Sequence, residues 1–96
     1  MATYIVLAKM TQQGVQTVKD IPQRRAGAKE AAKALGITWR EGFVTMGRFD
    51  VVLVLDAPDD ETIAKFVLEI GRRGNLSTQT MRAFTEAESD ALTSSL

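Results

Sequence analysis

The stretch TMGRFDVVLVLDAPDD (Thr45–Asp60) decides the fold, because a turn signal, the most apolar run of the chain and a helix start follow one another in it. Gly47 and Arg48 predict a two-residue hairpin loop of type II′, in which glycine takes the first central position. The segment FDVVLVL then predicts a strand, and APDDET predicts a helix entry with Asp59 as the N-cap. The stretch therefore predicts a hairpin whose second strand leads into a helix.

Hydrophobic spacing predicts the other elements. Strands are expected at residues 3–8, 37–46 and 75–84, with Gly42 as a bulge in the second of them. Two amphipathic helices are expected, one from Pro22 to Leu35 and one after Asp59, which end near Gly36 and Gly74. Their apolar positions recur at helical spacing, at Ala28, Ala31, Ala32 and Leu35 in the first and at Ile63, Phe66, Val67 and Ile70 in the second.

The order of these elements is βαββαβ, which predicts an α+β, ferredoxin-like fold with a four-stranded antiparallel sheet in the order 4-1-3-2. Two helices cover one face of this sheet. We expect a single domain at residues 1–85. For the polar stretch 86–96 two alternatives remain, a helix opened by a capping box of Thr85 and Glu88 or a frayed tail.

The predicted central strands are apolar on both faces, whereas two helices can cover only one of them. A second copy of the chain, packed sheet against sheet as in a dimeric α/β-barrel, would remove the other face from water. We therefore expect a homodimer or a higher homo-oligomer. The alternative is a monomer with a partly polar open face.

Composition excludes several kinds of site. The 96 residues include no cysteine and no histidine, which excludes disulfides, a cysteine nucleophile, a Ser-His-Asp triad and the usual zinc ligand sets. We expect neither a metal nor a cofactor. Twelve basic residues balance twelve acidic ones, which argues against a nucleic-acid partner. No apolar run is long enough for a membrane span, and the N-terminus does not resemble a secretion signal, so we expect a cytoplasmic protein.

The candidate site residues are polar or aromatic groups near the central strands. Arg48 is able to hold a carboxylate or phosphate with Asp50 as its orienting partner or as a base. We favour the alternative, a structural role in which the two side chains form local hydrogen bonds or an intersubunit pair. Asp50 begins a buried strand and needs a partner, for which Arg48 and Arg82 are the candidates. Four side chains are candidates to line a cavity or to fill a core or interface: Tyr4, Trp39, Phe43 and Met81.

Two arginine doublets and one acidic run have simpler interpretations. Arg24-Arg25 and Arg72-Arg73 form either an anion or nucleic-acid patch or solvated helix ends, and the neutral net charge favours the second. The acids Asp59, Asp60 and Glu61 are explained by helix capping without a metal.

The run MGRFDVVLVLDAPDDE resembles the signature of the GYD domain family, small bacterial and archaeal proteins. The likeness continues through GRRGNLSTQTMRAFTEAE and TYIVLAKMTQQGVQTVKDIPQR, so it covers nearly the whole chain. It implies a ferredoxin-like fold of the dimeric α/β-barrel kind and no particular function. Phe49 departs from the tyrosine common in the family, so any activity that used this hydroxyl would be absent here.

Two functions compete at this point. The first is a small oligomeric module that binds a small ligand or acts in assembly or regulation without catalysis. The second is a cofactor-independent enzyme, similar to a monooxygenase or isomerase, which would act on an apolar small molecule with Tyr4, Asp50 or Arg82 inside the barrel. The enzyme hypothesis rests on analogy of fold.

Overall fold

The computed structural model describes residues 1–96, whose elements alternate as the sequence predicts. The strands are β1 (Ala2–Met10), β2 (Thr38–Val44), β3 (Val51–Ala57) and β4 (Leu76–Ala83). The helices are α1 (Gln12–Gln16), α2 (Ile21–Ala34), α3 (Asp60–Gly71) and α4 (Glu86–Ser94), with a 3-10 turn at Val18–Asp20. No helix has both the length and the apolar character that crossing a membrane requires.

The four strands form one antiparallel sheet in the order β2-β3-β1-β4, which is the 4-1-3-2 order read from the other edge. The central pair aligns Tyr4 with Leu55 and Val6 with Leu53, and β4 pairs with the other side of β1. Side chains alternate between the two faces along a strand. The sheet therefore has a covered face and an open face.

The core lies between the covered face and helices α2 and α3. Phe66, Leu55 and Val6 are its largest fully buried side chains. The predicted helix faces are confirmed: Ala32, Ile63, Phe66 and Ile70 are buried, while Ala28, Ala31, Leu35 and Val67 pack against the core.

The helix ends follow the capping rules. The Asp59 carboxylate accepts a hydrogen bond from the Thr62 amide at 2.8 Å, which makes Asp59 the N-cap of α3. This bond and one from the Thr62 hydroxyl hold the pKa of Asp59 below its usual range. Thr85 and Glu88 form the predicted capping box, so residues 86–94 are helical and not a frayed tail.

Helix α4 has no buried residue. It is tied back through Arg82, whose guanidinium lies 3.7 Å from the Glu88 carboxylate. The hydrogen bond from the Thr85 amide to Glu88 lowers the pKa of Glu88, and Arg82 adds to the effect. The molecule accordingly has an elongated outline of 49 by 30 by 18 Å.

Two local predictions in the β2–β3 hairpin are wrong. The connection is the six-residue segment 45–50, because pairing stops at Val44 and Val51, so the two-residue loop does not form. Gly47 still makes the turn, with φ +104°, a conformation that side chains with a Cβ disfavour.

The bulge lies at Arg40 and not at Gly42, since Trp39 pairs with Leu55 while Glu41 pairs with Val54. The extra residue reverses the alternation of every following side chain. Trp39 thus faces the helices and Phe43 lies on the open face, although the sequence alternation places them on the same side.

Candidate functional site

The Gly47–Asp50 segment connects β2 to β3 and is bonded to the end of β1 through Asp50. The Asp50 carboxylate accepts a hydrogen bond from the Met10 amide at 2.7 Å, and the Asp50 amide donates to the Ala8 carbonyl at 2.9 Å. These bonds continue the β1–β3 ladder past the last residue pair. The carboxylate is therefore satisfied by the backbone, and the predicted partners Arg48 and Arg82 are wrong.

The other two residues of the segment have different surroundings. The Arg48 side chain is exposed and makes no hydrogen bond or ion pair. Phe49 is half-buried, and its carbonyl accepts from the Thr45 hydroxyl at 2.7 Å. The geometry thus separates Arg48 from Asp50 and favours the structural interpretation of the segment.

Tyr4 and Arg82 lie together at the opposite end of β1. They are partners across β1 and β4, and the Arg82 guanidinium lies 5.8 Å from the Tyr4 ring and 4.4 Å from the Phe84 ring. Arg82 also donates to the carbonyls of Thr3 and Ala83. It joins the sheet to α4 through these bonds and through Glu88.

The Tyr4 hydroxyl donates to the Asp60 carboxylate at the start of α3. This hydrogen bond, followed by burial, raises the pKa of Tyr4 above its ordinary value. The residue is 3% exposed. The hydroxyl is thereby held as a donor that fastens α3 to the sheet.

Trp39 lines an apolar cleft that opens between α2 and the covered face near β2. Its volume is about 120 Å³, and its wall is mostly apolar, with Leu53, Val51, Ile70 and Ala28 among the lining residues. The Lys29 ammonium lies 5.6 Å from the centre of the Trp39 ring. A Cβ on Gly42 would come within 3.1 Å of that ring, so the absence of a side chain there lets the indole lie against β2.

Three arginines also line this cleft: Arg24, Arg25 and Arg73. Arg24 donates to the carbonyls of Gly14 and Thr17 at 3.2 and 3.1 Å, while its Nε is buried without a partner. A buried donor left unsatisfied costs about 1–3 kcal/mol. The interpretation of the Arg24-Arg25 and Arg72-Arg73 doublets as solvated helix ends is therefore wrong for Arg24, whereas Arg25, Arg72 and Arg73 are exposed. Arg73, just beyond the end of α3, nevertheless lines the same cleft as Arg24.

The predicted site residues do not form one site. Asp50 contacts the end of β1 at Met10, whereas Tyr4 and Arg82 lie six residues earlier along the strand, a separation of about 20 Å. Of the seven candidates, Trp39 and Phe43 line the apolar cleft, and none lines the polar depression beside it. The sequence analysis did not predict that Arg24 and Arg73 line one cleft, although both arginine doublets are visible in the sequence.

The open face carries an exposed apolar surface. Ile5 faces Val54, and Leu7 faces Val52, on the two central strands. All four are only half-buried, and two large side chains flank them, Phe43 at 52% and Met81 at 41% exposure. We define the open face as Ile5, Leu7, Phe43, Val52, Val54 and Met81. One end of it is polar, because the Asp56 carboxylate accepts from the Thr3 hydroxyl at 2.8 Å and lies 3.7 Å from Arg40.

Comparison with known proteins agrees with this fold. The chain is 30% identical over 89 residues to the "Glutamine synthetase and cystathionine beta-lyase binding protein" of Thermus thermophilus, a match that covers 92% of this chain and 94% of the relative.

Two solved structures are similar in fold. The crystal structure of TTHA0845 from Thermus thermophilus superimposes with a TM-score of 0.58 at 24% identity, over 88% of this chain and 95% of that one. The crystal structure of MtbAldR gives a TM-score of 0.69 at 13% identity and covers 88% of this chain, which spans only 52% of that protein.

The family comparison extends over almost every element described above. The model of the GYD domain matches residues 4–93, from the first core residue of β1 to the last turn of α4. The chain belongs to the GYD domain family.

Proposed function

We propose that this protein is a non-catalytic binding module, which self-associates through its open face and acts in the cytoplasm by docking onto other proteins. The observation that carries the proposal is the open face itself, an apolar surface on the two central strands that neither α2 nor α3 covers. Soluble monomers rarely leave such a surface in water unless it is an interaction site.

The size of the open face fits a second copy of the chain. Four strands about 4.8 Å apart, each about seven residues long at a rise of about 3.3 Å, cover roughly 450 Å² in the plane of the sheet. Protruding side chains make the accessible area larger than the plane, so two faces together reach the order of 1,200 Å² at which specific interfaces begin. The polar end at Asp56 and Arg40 supplies a rim beside an apolar centre, the usual anatomy of an interface.

The name of the Thermus relative supports the protein-binding part of the proposal. That protein is described as binding two metabolic enzymes, and it aligns with this chain over nearly its full length. We extend this mode of action to the present chain, with an enzyme of the same cell as partner. The relative's two enzymes are the first candidates.

The enzyme alternative receives no support from the geometry. It places Tyr4, Asp50 or Arg82 inside a cavity, whereas the Tyr4 hydroxyl is bonded to Asp60 and the Asp50 carboxylate to the Met10 amide. None of the three lines either main cleft.

The docking test uses the full chain immobilised at its C-terminus and purified glutamine synthetase and cystathionine beta-lyase from the same organism. Saturable binding of either enzyme, competed by free protein, is the expected result. If neither enzyme binds and cell extract yields no other saturable protein partner, the protein-docking part of the proposal is wrong.

A further inference from the structure

We infer that the cleft between α2 and the sheet binds a small organic anion with an apolar body. The anionic head lies between Arg24 and Arg73, and the apolar body lies against Trp39. This inference goes beyond the proposed function and does not require self-association, because every residue it uses comes from one copy of the chain.

Charge is the first argument. The cleft is lined by three arginines and by no aspartate or glutamate. Arg73 shares its only acidic partner, Glu69, with Arg72, and that contact is 3.5 Å long. Arg24 bonds only to two neutral carbonyls, and Arg25 makes no ion pair. The cleft lining thus carries a net positive charge that Glu69 offsets only in part, and guanidinium groups favour carboxylate and phosphate oxygens.

Position is the second argument. Arg24, Arg73 and Asn75 line both the apolar cleft and an adjoining polar depression, whose other residues are Gln13, Thr17, Asp20, Gln23 and Gly27. Asp20 is the one carboxylate among them, so the two arginines leave the depression with a net positive charge. Arg24, Arg73 and Asn75 therefore mark the boundary between an apolar compartment and a polar one. A ligand that crosses this boundary has an apolar part inside and a polar part outside.

The local backbone keeps both guanidinium groups at this boundary. A Cβ on Gly27 would lie 3.3 Å from Nη1 of Arg73, so the side chain of Arg73 rests against the bare turn of α2. Arg24 is fixed by the carbonyls of Gly14 and Thr17, while its buried Nε keeps a free N–H. An anion that accepted this N–H would supply the missing partner.

Size limits the apolar part. The cleft volume is about 120 Å³, close to the roughly 150 Å³ of an apolar cavity that accepts one benzene molecule. A single ring or a chain of about six carbons is the largest body that fits. The ligand class is therefore a small aryl or alkyl carboxylate or phosphate.

The test compares three probes that share a single aromatic ring and differ in the charge of the head group: benzoate, benzyl alcohol and benzylamine. Trp39 is the only tryptophan, so its emission reports on the cleft without labelling. We expect saturable quenching or a spectral shift with the carboxylate, at least about tenfold weaker binding of the alcohol, a difference of about 1.4 kcal/mol, and no binding of the amine.

Variants locate the head group. Arg73→Met keeps the apolar stem and is expected to weaken carboxylate binding at least about tenfold, whereas Arg72→Met, at the neighbouring exposed position, leaves it unchanged. Arg24→Met should also weaken binding, and because Arg24 supports α1 its fold is checked by circular dichroism. If Arg24→Met does not fold, the comparison of Arg73→Met with Arg72→Met alone locates the head group.

Three results would overturn the inference. The first is no saturable change of Trp39 emission up to about 10 mM carboxylate, ten times the Kd of a millimolar ligand. The second is equal binding of all three probes. The third is an equal loss in the Arg72 and Arg73 variants. Repeating the titration on a monomeric open-face variant separates this result from the test of self-association.

Discussion

Replacing Asp50 by alanine removes one bond of known geometry, and the loss is calculable. The carboxylate accepts from the Met10 amide at 2.7 Å, and hydrogen bonds to charged groups contribute about 1.5–3 kcal/mol. Asp50 is half-buried, so water partly replaces the lost acceptor and the lower value applies. We expect Asp50→Ala to lower the free energy of unfolding by about 1.5 kcal/mol, with the Met10 amide left without its partner.

Two variants control for other causes. Asp50→Asn retains an oxygen acceptor for the Met10 amide without the charge, so its loss is expected near 0.5 kcal/mol. Arg48→Ala removes a side chain that contacts no partner and should stay within about 0.5 kcal/mol of the native protein.

Urea unfolding followed by Trp39 emission measures all three variants at one fixed protomer concentration, because association changes apparent stability. In thermal unfolding, Tm changes by about 4–8 °C per kcal/mol for a chain of this size, so we expect Asp50→Ala to lower Tm by roughly 6–12 °C. The structural role of the segment is refuted if Asp50→Ala is neutral, or if Arg48→Ala destabilises as much as Asp50→Ala does.

Three further predictions test other parts of the structure. The raised pKa of Tyr4 means that the folded state holds the phenol proton more tightly than the unfolded state does, so this contribution to stability is complete below the unfolded pKa of about 10 and falls as the pH rises above it. Tyr4→Phe should lack this decline when unfolding is measured at alkaline pH. A decline that is the same in the variant and the native protein would contradict the assignment. Gly14→Ala places a Cβ against the Asn75 carbonyl oxygen and should cost about 1–3 kcal/mol in the same urea assay. Gly71→Ala, at the last residue of α3 with nothing within 4 Å of the new Cβ, should be neutral or stabilise by up to about 1 kcal/mol. An equal loss of stability in both variants would contradict the close approach of α1 to Asn75. Deleting residues 86–96 tests the domain proposed at 1–85. The shortened chain should fold, and its free energy of unfolding should fall by no more than about 1 kcal/mol, because the deletion removes an exposed ion pair and a helix without buried residues. A shortened chain that is unfolded by circular dichroism would place α4 within the domain.

The sequence predicts the elements with strong periodicity. Ile63, Phe66 and Ile70 recur at helical spacing and are all buried in α3, and the Thr85–Glu88 capping box begins α4. The central position of β1 and β3 follows from their apolar residues on both faces. These features depend on residues close together in the chain, which a local pattern is able to reveal.

The missed features depend on distant residues or on a single inserted one. The partner of Asp50 is the amide of Met10, forty residues away, and a backbone donor leaves no signature in the sequence. The bulge at Arg40 moves Trp39 to the covered face, but one extra residue does not stand out in an imperfect alternation. Arg24 and Arg73 line one cleft only because α2 packs beside the C-terminal end of α3, so their doublets alone did not indicate a cleft.

Self-association is the central claim, and sedimentation velocity at micromolar concentration tests it most directly. The native protein should have at least twice the 10.5 kDa protomer mass. Val54→Lys, in the middle of the open face, should be monomeric and folded. Leu68→Lys, a matched change at a side chain that is 70% exposed on α3, should behave as the native protein does. A native protein that sediments as a monomer, or a Val54→Lys variant that keeps the native mass, would contradict the claim.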